Sequence, residues 1–325
     1  MRRVEFVAGV AGVAVVARPR VANAASDDAY AVSVSTGTLF GTLLMPESGR
    51  RWPVALIVAG SGPTDRDCNS SVGLKTDAYR LLAEALAARG VATVRYDKRG
   101  VGKSVAALTD ESTARFEDVV ADAAAWIAKL RGDRRFSSIV VAGHSEGSLI
   151  GMMAAYGAQA DGFVSLEGPG FPAADGLRRQ TAVALEALPD LKSANDRILD
   201  GLERGETTTD VPLQLAPLYR ASVQPYLISY FKYDPRIEIA QLRCPVTIVQ
   251  GTADIQVLVD DAKALSIASP AAQLQIVDGL THPLKHADDP SRANQLATVY
   301  RDPTIPIDPS VPAAIEAIAR TAVSS

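Results

Sequence analysis

From about Ala31 the apolar positions of this chain alternate between short continuous runs and stretches with helical spacing. Ala31 to Val34 and Thr38 to Leu44 flank Gly37 and predict an antiparallel hairpin at a sheet edge. Val54 to Ala59 is an unbroken apolar run ending in Gly60-Ser61-Gly62-Pro63, the pattern of a strand covered on both faces that runs into a loop. Thr76 to Arg89 predicts a helix, because Tyr79, Leu82, Ala83 and Leu86 recur at helical spacing and Gly90 stands where a C-terminal cap belongs. The alternation continues with strand Val91 to Tyr96, helix Phe116 to Leu130, strand Ile139 to Ala142, helix Ser145 to Tyr156 and strand Phe163 to Leu166. Such an order implies an α/β fold, a mostly parallel sheet with helices on both faces.

Between Gly168 and Gln241 the alternation stops, and Leu/Ala-rich helical stretches follow one another without a strand. It resumes with strand Val246 to Val249, helix Ala262 to Ile267, strand Leu274 to Val277 and helix Ala313 to Ala322. The expected organisation is a core built from residues 25–167 and 242–325, interrupted by a helical cap over 168–241. Within that cap Tyr219, Tyr226, Tyr230, Phe231 and Tyr233 collect in one short stretch. Two uses are open to them: packing the cap onto the sheet, or lining the way into a substrate pocket.

The first 24 residues have the layout of an export signal: Arg2 and Arg3 at the start, a mostly apolar run from Val4 to Ala17, and Ala22-Asn23-Ala24 before the expected cleavage point. The predicted location is secreted or periplasmic. The run is shorter than the ~20 residues that span a bilayer and carries Glu5, so no stable membrane insertion is expected after removal. Cleavage would remove four arginines and one glutamate and move the net charge from -4 to -7. An acidic chain has no overall basic surface for a phosphate backbone, which argues against nucleic acid as a partner. With 2 Cys and 3 His, and neither CxxC nor HExxH, there is little material for a zinc site. Cys68 follows the end of one predicted parallel strand and Cys244 precedes the start of another, so the two should lie at opposite sheet edges as free thiols.

The chemistry begins at Gly143-His144-Ser145-Glu146-Gly147, a GxSxG between a predicted buried strand and a predicted helix. That is the setting of a nucleophile elbow, where the serine sits on a sharp strand-to-helix turn and the glycines permit close approach of the two elements. A serine hydroxyl needs a histidine base and a carboxylate to orient that base. Asp254, just past the strand Val246 to Val249, and His282, just past Leu274 to Val277, fall where a parallel sheet collects its active-site loops. His286 competes as base and His144 flanks the serine; Asp260 and Asp261 compete with Asp254 but read as helix surface. An oxyanion needs backbone donors, for which the N–H groups of Glu146 and, by analogy, Ser61 are placed. Asp65-Arg66-Asp67 reads either as a brace for that loop through local ion pairs or as a solvated charge run.

Gly60-Ser-Gly-Pro-Thr-Asp-Arg-Asp67, Tyr96-Asp-Lys-Arg-Gly-Val-Gly-Lys-Ser104, Gly143-His-Ser-Glu-Gly147, Gly251-Thr-Ala-Asp254 and Thr281-His-Pro-Leu-Lys285 together resemble the α/β-hydrolase family. Within it they resemble a branch of exported bacterial esterases and serine aminopeptidase-like (S33-type) proteins. The order Ser, Asp, His matches that family. The resemblance spans about residues 30 to 300 and implies the α/β-hydrolase fold and triad, with Asp97 and Arg99 buttressing the active-site edge. Many relatives carry a histidine before the first glycine of the oxyanion loop; this chain has Ala59. Gly102-Lys103-Ser104 imitates the end of a P-loop, but the first glycine of that motif would fall on Asp97. The expected activity is hydrolysis of a small-molecule carboxylic ester through an acyl-enzyme, with no cofactor implied. An aminopeptidase with Glu146 or Glu167 holding a substrate ammonium, a thioesterase, lactonase or acyltransferase, and a non-catalytic binding protein on the same scaffold are the alternatives.

Overall fold

A computed structural model of the chain describes residues 28–49 and 51–324. The expected export signal over 1–24 lies outside the described residues. Among these, eight strands form one sheet in the order β1-β2-β4-β3-β5-β6-β7-β8. The hairpin β1 (Asp28–Val34) and β2 (Gly37–Leu44) occupies one edge, with β2 antiparallel to β4 (Ala92–Tyr96). From β4 onward the neighbours are parallel: β3 (Trp52–Val58), β5 (Phe136–His144), β6 (Gly162–Leu166), β7 (Val246–Gly251) and β8 (Gln273–Val277). β4, β6 and β7 are buried along their whole length, which is why they read as largely apolar runs, with Arg95 on β4 and Gln250 on β7 buried among them.

Helices cover both faces. α1 (Ala78–Ala87) and α11 (Ser310–Ser324) pack Leu82, Leu86, Val311 and Ile315 against one side. α2 (Phe116–Arg131) and α3 (Glu146–Gly157) pack Phe116, Trp126, Leu149 and Met152 against the other. The order of strands reverses between β3 and β5: the chain leaves β3 toward β4, then crosses back to β5 on the opposite side. A crevice opens beyond the carboxyl ends of two such strands, so Gly60 and Ser145, which follow them, meet at its floor.

The connection from β6 to β7 holds α4 (Ala173–Ala184), α5 (Pro189–Glu203), α6 (Ala216–Tyr219), α7 (Gln224–Tyr230) and α8 (Pro235–Ala240). Leu185, Ile198, Leu199, Leu202 and Tyr219 give these helices a small core of their own. The aromatic run is packing: Tyr219 is buried with its hydroxyl 2.7 Å from Asn195 Oδ1, and Tyr230 stacks on Phe116 with ring centres 4.4 Å apart. α9 (Val259–Ala268) then leads to β8.

Three expectations need correction. Asp261 is not helix surface: it is fully buried, with Oδ1 taking the Gly170 amide at 3.0 Å and the Arg179 guanidinium at 2.8 Å, and so ties α4 to α9. Asp260 does lie exposed, paired with Lys263. The Asp65-Arg66-Asp67 run is neither solvated nor locally paired, because Arg66 reaches Asp97 at 2.6 Å and Asp67 reaches Arg95 at 2.7 Å, fastening the loop to β4 and its exit. Finally, a short helix absent from the predicted pattern, α10 (Arg292–Ala297), follows the His282 loop. Cys68 and Cys244 are both free thiols.

Candidate active site

Ser145 stands between β5 and α3 at φ 56° and ψ -129°, backbone that a non-glycine residue holds only under external constraint. The constraint is visible: Ser145 N donates to Leu166 O at 2.9 Å, and Ser148 N donates to Ser145 O at 2.8 Å. The flanking glycines have steric causes. A Cβ on Gly147 would lie 2.2 Å from Val58 O, and one on Gly143 would lie 2.3 Å from Gly147 O. Only a bare α-carbon lets α3 start this close to β3 and β5. Gly60 is in the same position with respect to the serine itself, since its Cβ would come within 3.0 Å of Ser145 Cβ.

Asp254 and His282 come together from the loops after β7 and β8. His282 Nδ1 lies 2.7 Å from Asp254 Oδ2, and both residues are buried. The other carboxylate oxygen, Oδ1, accepts the amides of Gln256 at 2.6 Å and Val257 at 3.0 Å. The aspartate is thereby fixed, and Nε2 is the ring nitrogen left for a hydroxyl. Ser145 and His282 line one cavity of about 330 Å³, together with Gly60, Ser61, His144 and Tyr300. The competing base His286 is exposed, 3.7 and 3.8 Å from Asp288 and Asp308.

Behind Asp254 lies a second carboxyl that motif reasoning treats only as an ammonium holder. Glu167 is fully buried, and its oxygens accept the Gly251 amide at 2.9 and 3.1 Å and the Gln250 side chain. Burial, and then the charge of Asp254, push the Glu167 carboxyl well above the usual range. Burial also opposes ionisation of Asp254, but His282, its hydrogen bond and a hydrogen bond from Glu167 together bring the Asp254 carboxyl below its ordinary value. Glu167 therefore keeps its proton and Asp254 carries the negative charge. Glu146 faces another way, its carboxylate accepting the Tyr226 hydroxyl.

The oxyanion loop is braced without the missing histidine. Gly60 N donates to Tyr79 Oη at 3.1 Å, and the Lys98 ammonium donates to Gly60 O. With the Gly60 amide committed, that of Ser61 is the next along the loop. Glu146 opens α3, so its N–H is one of the four a helix start leaves without an intrahelical partner. As the resemblance implies, Asp97 and Arg99 sit at this edge, Asp97 bound to Arg66 and Arg99 to Asp122 at 2.7 Å.

His144, which the sequence marks only as a neighbour of the serine, ties the end of β5 to helix α1 and to the His282 loop. Its Nε2 lies 2.8 Å from His282 O, and its Nδ1 lies 2.7 Å from Tyr79 Oη. A carbonyl only accepts, so Nε2 carries the proton and Nδ1 accepts from Tyr79. Tyr79 in turn accepts from Gly60. One directed chain thus links the oxyanion loop to the backbone of the active-site histidine. Burial first, then the neighbouring His282, lower the His144 pKa from 6.5 to about 3. Folded His144 stays neutral while the unfolded chain takes up a proton there below 6.5, so stability falls as pH drops through the window from 6.5 to about 3. The full penalty is on the order of 5 kcal/mol. Replacing His144 with glutamine, which keeps a donor and an acceptor but does not titrate, should flatten the dependence of the urea midpoint on pH between 6.5 and 4.5. Equal slopes in the two proteins would contradict this assignment.

A strained serine at the switch point of a parallel sheet, beside a buried carboxylate–imidazole pair, defines the class: a serine-hydrolase type of site on an α/β-hydrolase fold. The chain has the α/β-hydrolase fold, and by sequence it is similar to an esterase and to S33 serine aminopeptidases. Residues 72–210, which include the elbow but neither Asp254 nor His282, match the family described as serine aminopeptidase, S33. Esterase EstD of Thermotoga maritima is 27% identical over 234 residues, 70% of this chain and 53% of that protein. The chain thus spans about half the length of this curated relative. Est1E of Butyrivibrio proteoclasticus, solved with ferulic acid bound, superposes with a TM-score of 0.60 at 18% identity, covering 91% of this chain and 100% of that one. Esterase Pf2001 of Pyrococcus furiosus gives 0.53 at 15% identity over 82% of this chain and 89% of its own.

Proposed function

We propose that this protein is a serine esterase that cleaves small carboxylic esters through an acyl-enzyme. The observation that carries the reading is the 2.7 Å contact between His282 Nδ1 and Asp254 Oδ2 in the cavity that also holds the elbow serine. Ser145 Oγ adds to the ester carbonyl while His282 Nε2 takes the hydroxyl proton. The Ser61 and Glu146 amides face the negative oxygen that forms. Collapse of this adduct expels the alcohol, which receives the proton from His282. Water then repeats the sequence on the acyl-enzyme and releases the acid. Asp254 holds the imidazole in the tautomer that lets Nε2 accept, and stabilises the imidazolium.

An aminopeptidase needs a carboxylate free to hold the substrate's ammonium group. No Asp or Glu is among the described residues lining the cavity, and Glu146 and Glu167 are engaged with Tyr226 and with Gly251 and Gln250. The names of the esterase relatives support the same choice. Export is part of the proposal and rests on the pattern of residues 1–24. Purified protein without those residues should hydrolyse 4-nitrophenyl esters of short acids with kcat/KM at least ~100-fold above that for aminoacyl 4-nitroanilides, about the size of a lost specific binding contact. The reverse order would replace this reading with the peptidase one.

A further inference from the structure

Part of the cavity wall comes from a segment with no part in the proposed chemistry. It starts at α10 and runs through Tyr300 and Arg301. Gln295, fully buried, fastens it with Nε2 2.8 Å from both Ala253 O and Pro290 O. Tyr300 O accepts the Lys75 amide at 2.9 Å, Tyr300 Oη accepts from the Gln256 side chain at 2.8 Å, and Asp302 O accepts the buried Lys285 ammonium at 2.8 Å. The backbone on either side of the cavity mouth is therefore fixed relative to the loops that carry Asp254 and His282.

Two arginines of this segment, Arg292 and Arg301, line the cavity. Among the described residues neither pairs with a carboxylate; Arg292 Nη1 has a long contact of 3.5 Å with Ile255 O, and no partner of the Arg301 side chain is found. Elsewhere Arg66, Arg95, Arg99, Arg178 and Arg179 are each paired with an aspartate. In a chain whose net charge is -4, the mouth of the cavity thus carries two positive charges and no acidic side chain among its described lining residues. Apart from the reacting residues and their neighbours, the polar lining includes the uncharged side chains of Ser61, Thr64, Ser70, Gln180 and Gln256.

Building on the esterase reading, we propose that the substrate is an ester bearing a second, anionic group, a carboxylate, which Arg292 and Arg301 hold at the cavity mouth while Ser145 attacks the ester carbonyl. Guanidinium groups suit this role because their planar donors match a carboxylate in pairs. Both arginines are exposed, so water and salt screen them. Each is worth roughly fivefold in kcat/KM, the upper end for an exposed ion pair.

Two matched pairs of esters of equal length test the inference. Methyl hexanoate against monomethyl adipate places the charge on the acyl side, and hexyl acetate against 5-carboxypentyl acetate places it on the alcohol side. At pH 7 and low salt, the anionic member of at least one pair should be preferred roughly tenfold or more in kcat/KM. The ratio should fall toward one in the Arg292→Gln, Arg301→Gln double variant, and should shrink as sodium chloride is raised to 0.5 M. Equal rates within both pairs, or a preference that survives the double replacement, would overturn the inference and leave the esterase reading standing. Failure to hydrolyse any of the four would overturn both.

Discussion

Replacing Ser145 with alanine is expected to abolish ester hydrolysis, a loss of roughly 10⁶-fold in kcat, while the protein melts within a few degrees of the parent. The strained backbone at this position is held by main-chain bonds, Ser145 N to Leu166 O and Ser148 N to Ser145 O, which alanine keeps. Its Cβ occupies the same place against Gly60. Only the hydroxyl is lost. Steady-state kinetics on a short-chain ester, alongside thermal melts, measure both halves of this expectation. A variant retaining most of the activity would mean that the acyl group never rests on this serine.

Asp254→Asn is expected to cost about 10⁴-fold in kcat with the fold intact, and here the hydrogen bonds dictate the reason. Asp254 Oδ1 accepts the amides of Gln256 and Val257, so an asparagine must place its carbonyl oxygen there. Its NH₂ group is then forced onto the Oδ2 side, facing His282 Nδ1. That nitrogen can only accept from an NH₂, so the ring proton moves to Nε2 and the histidine can no longer take a proton from serine. Glu167 does not rescue it, since it holds its own proton and serves Asp254 as a donor. A loss under ~100-fold, less than one catalytic group supplies, would show that the aspartate does not set the tautomer.

What could be read from the sequence follows from what each element had to satisfy locally. β3, β4, β6 and β7 announce themselves because burial on both faces demands mostly apolar residues, with Thr93, Arg95, Ser165, Thr247 and Gln250 the buried exceptions, and the elbow does so because its close contacts admit only glycine. Asp254 and His282 were reachable because each lies a few residues past a recognisable strand. Features defined by distant partners were not. Asp261 looks like a surface acid on α9 until Arg179, 82 residues away, is brought to it. The hydrogen bonds from Gly60 to Tyr79 and from Tyr79 to His144 join residues that periodicity assigns separately to a loop, a helix face and a strand end. α10 has no apolar stripe to reveal it, as its buried anchor is the polar Gln295. α1 begins at Ala78 and not at Thr76, because Thr76 and Asp77 bond back to Asn69 and Asp77 sits at φ 52°.

The central claim is that Ser145 is an activated nucleophile, and covalent labelling reads this without a known substrate. Protein exposed to a fluorophosphonate at neutral pH should gain the mass of one adduct per chain, placed on Ser145 by peptide mapping, and the Ser145→Ala variant should gain none. No adduct on the folded parent, or one that persists in the variant, would contradict the account.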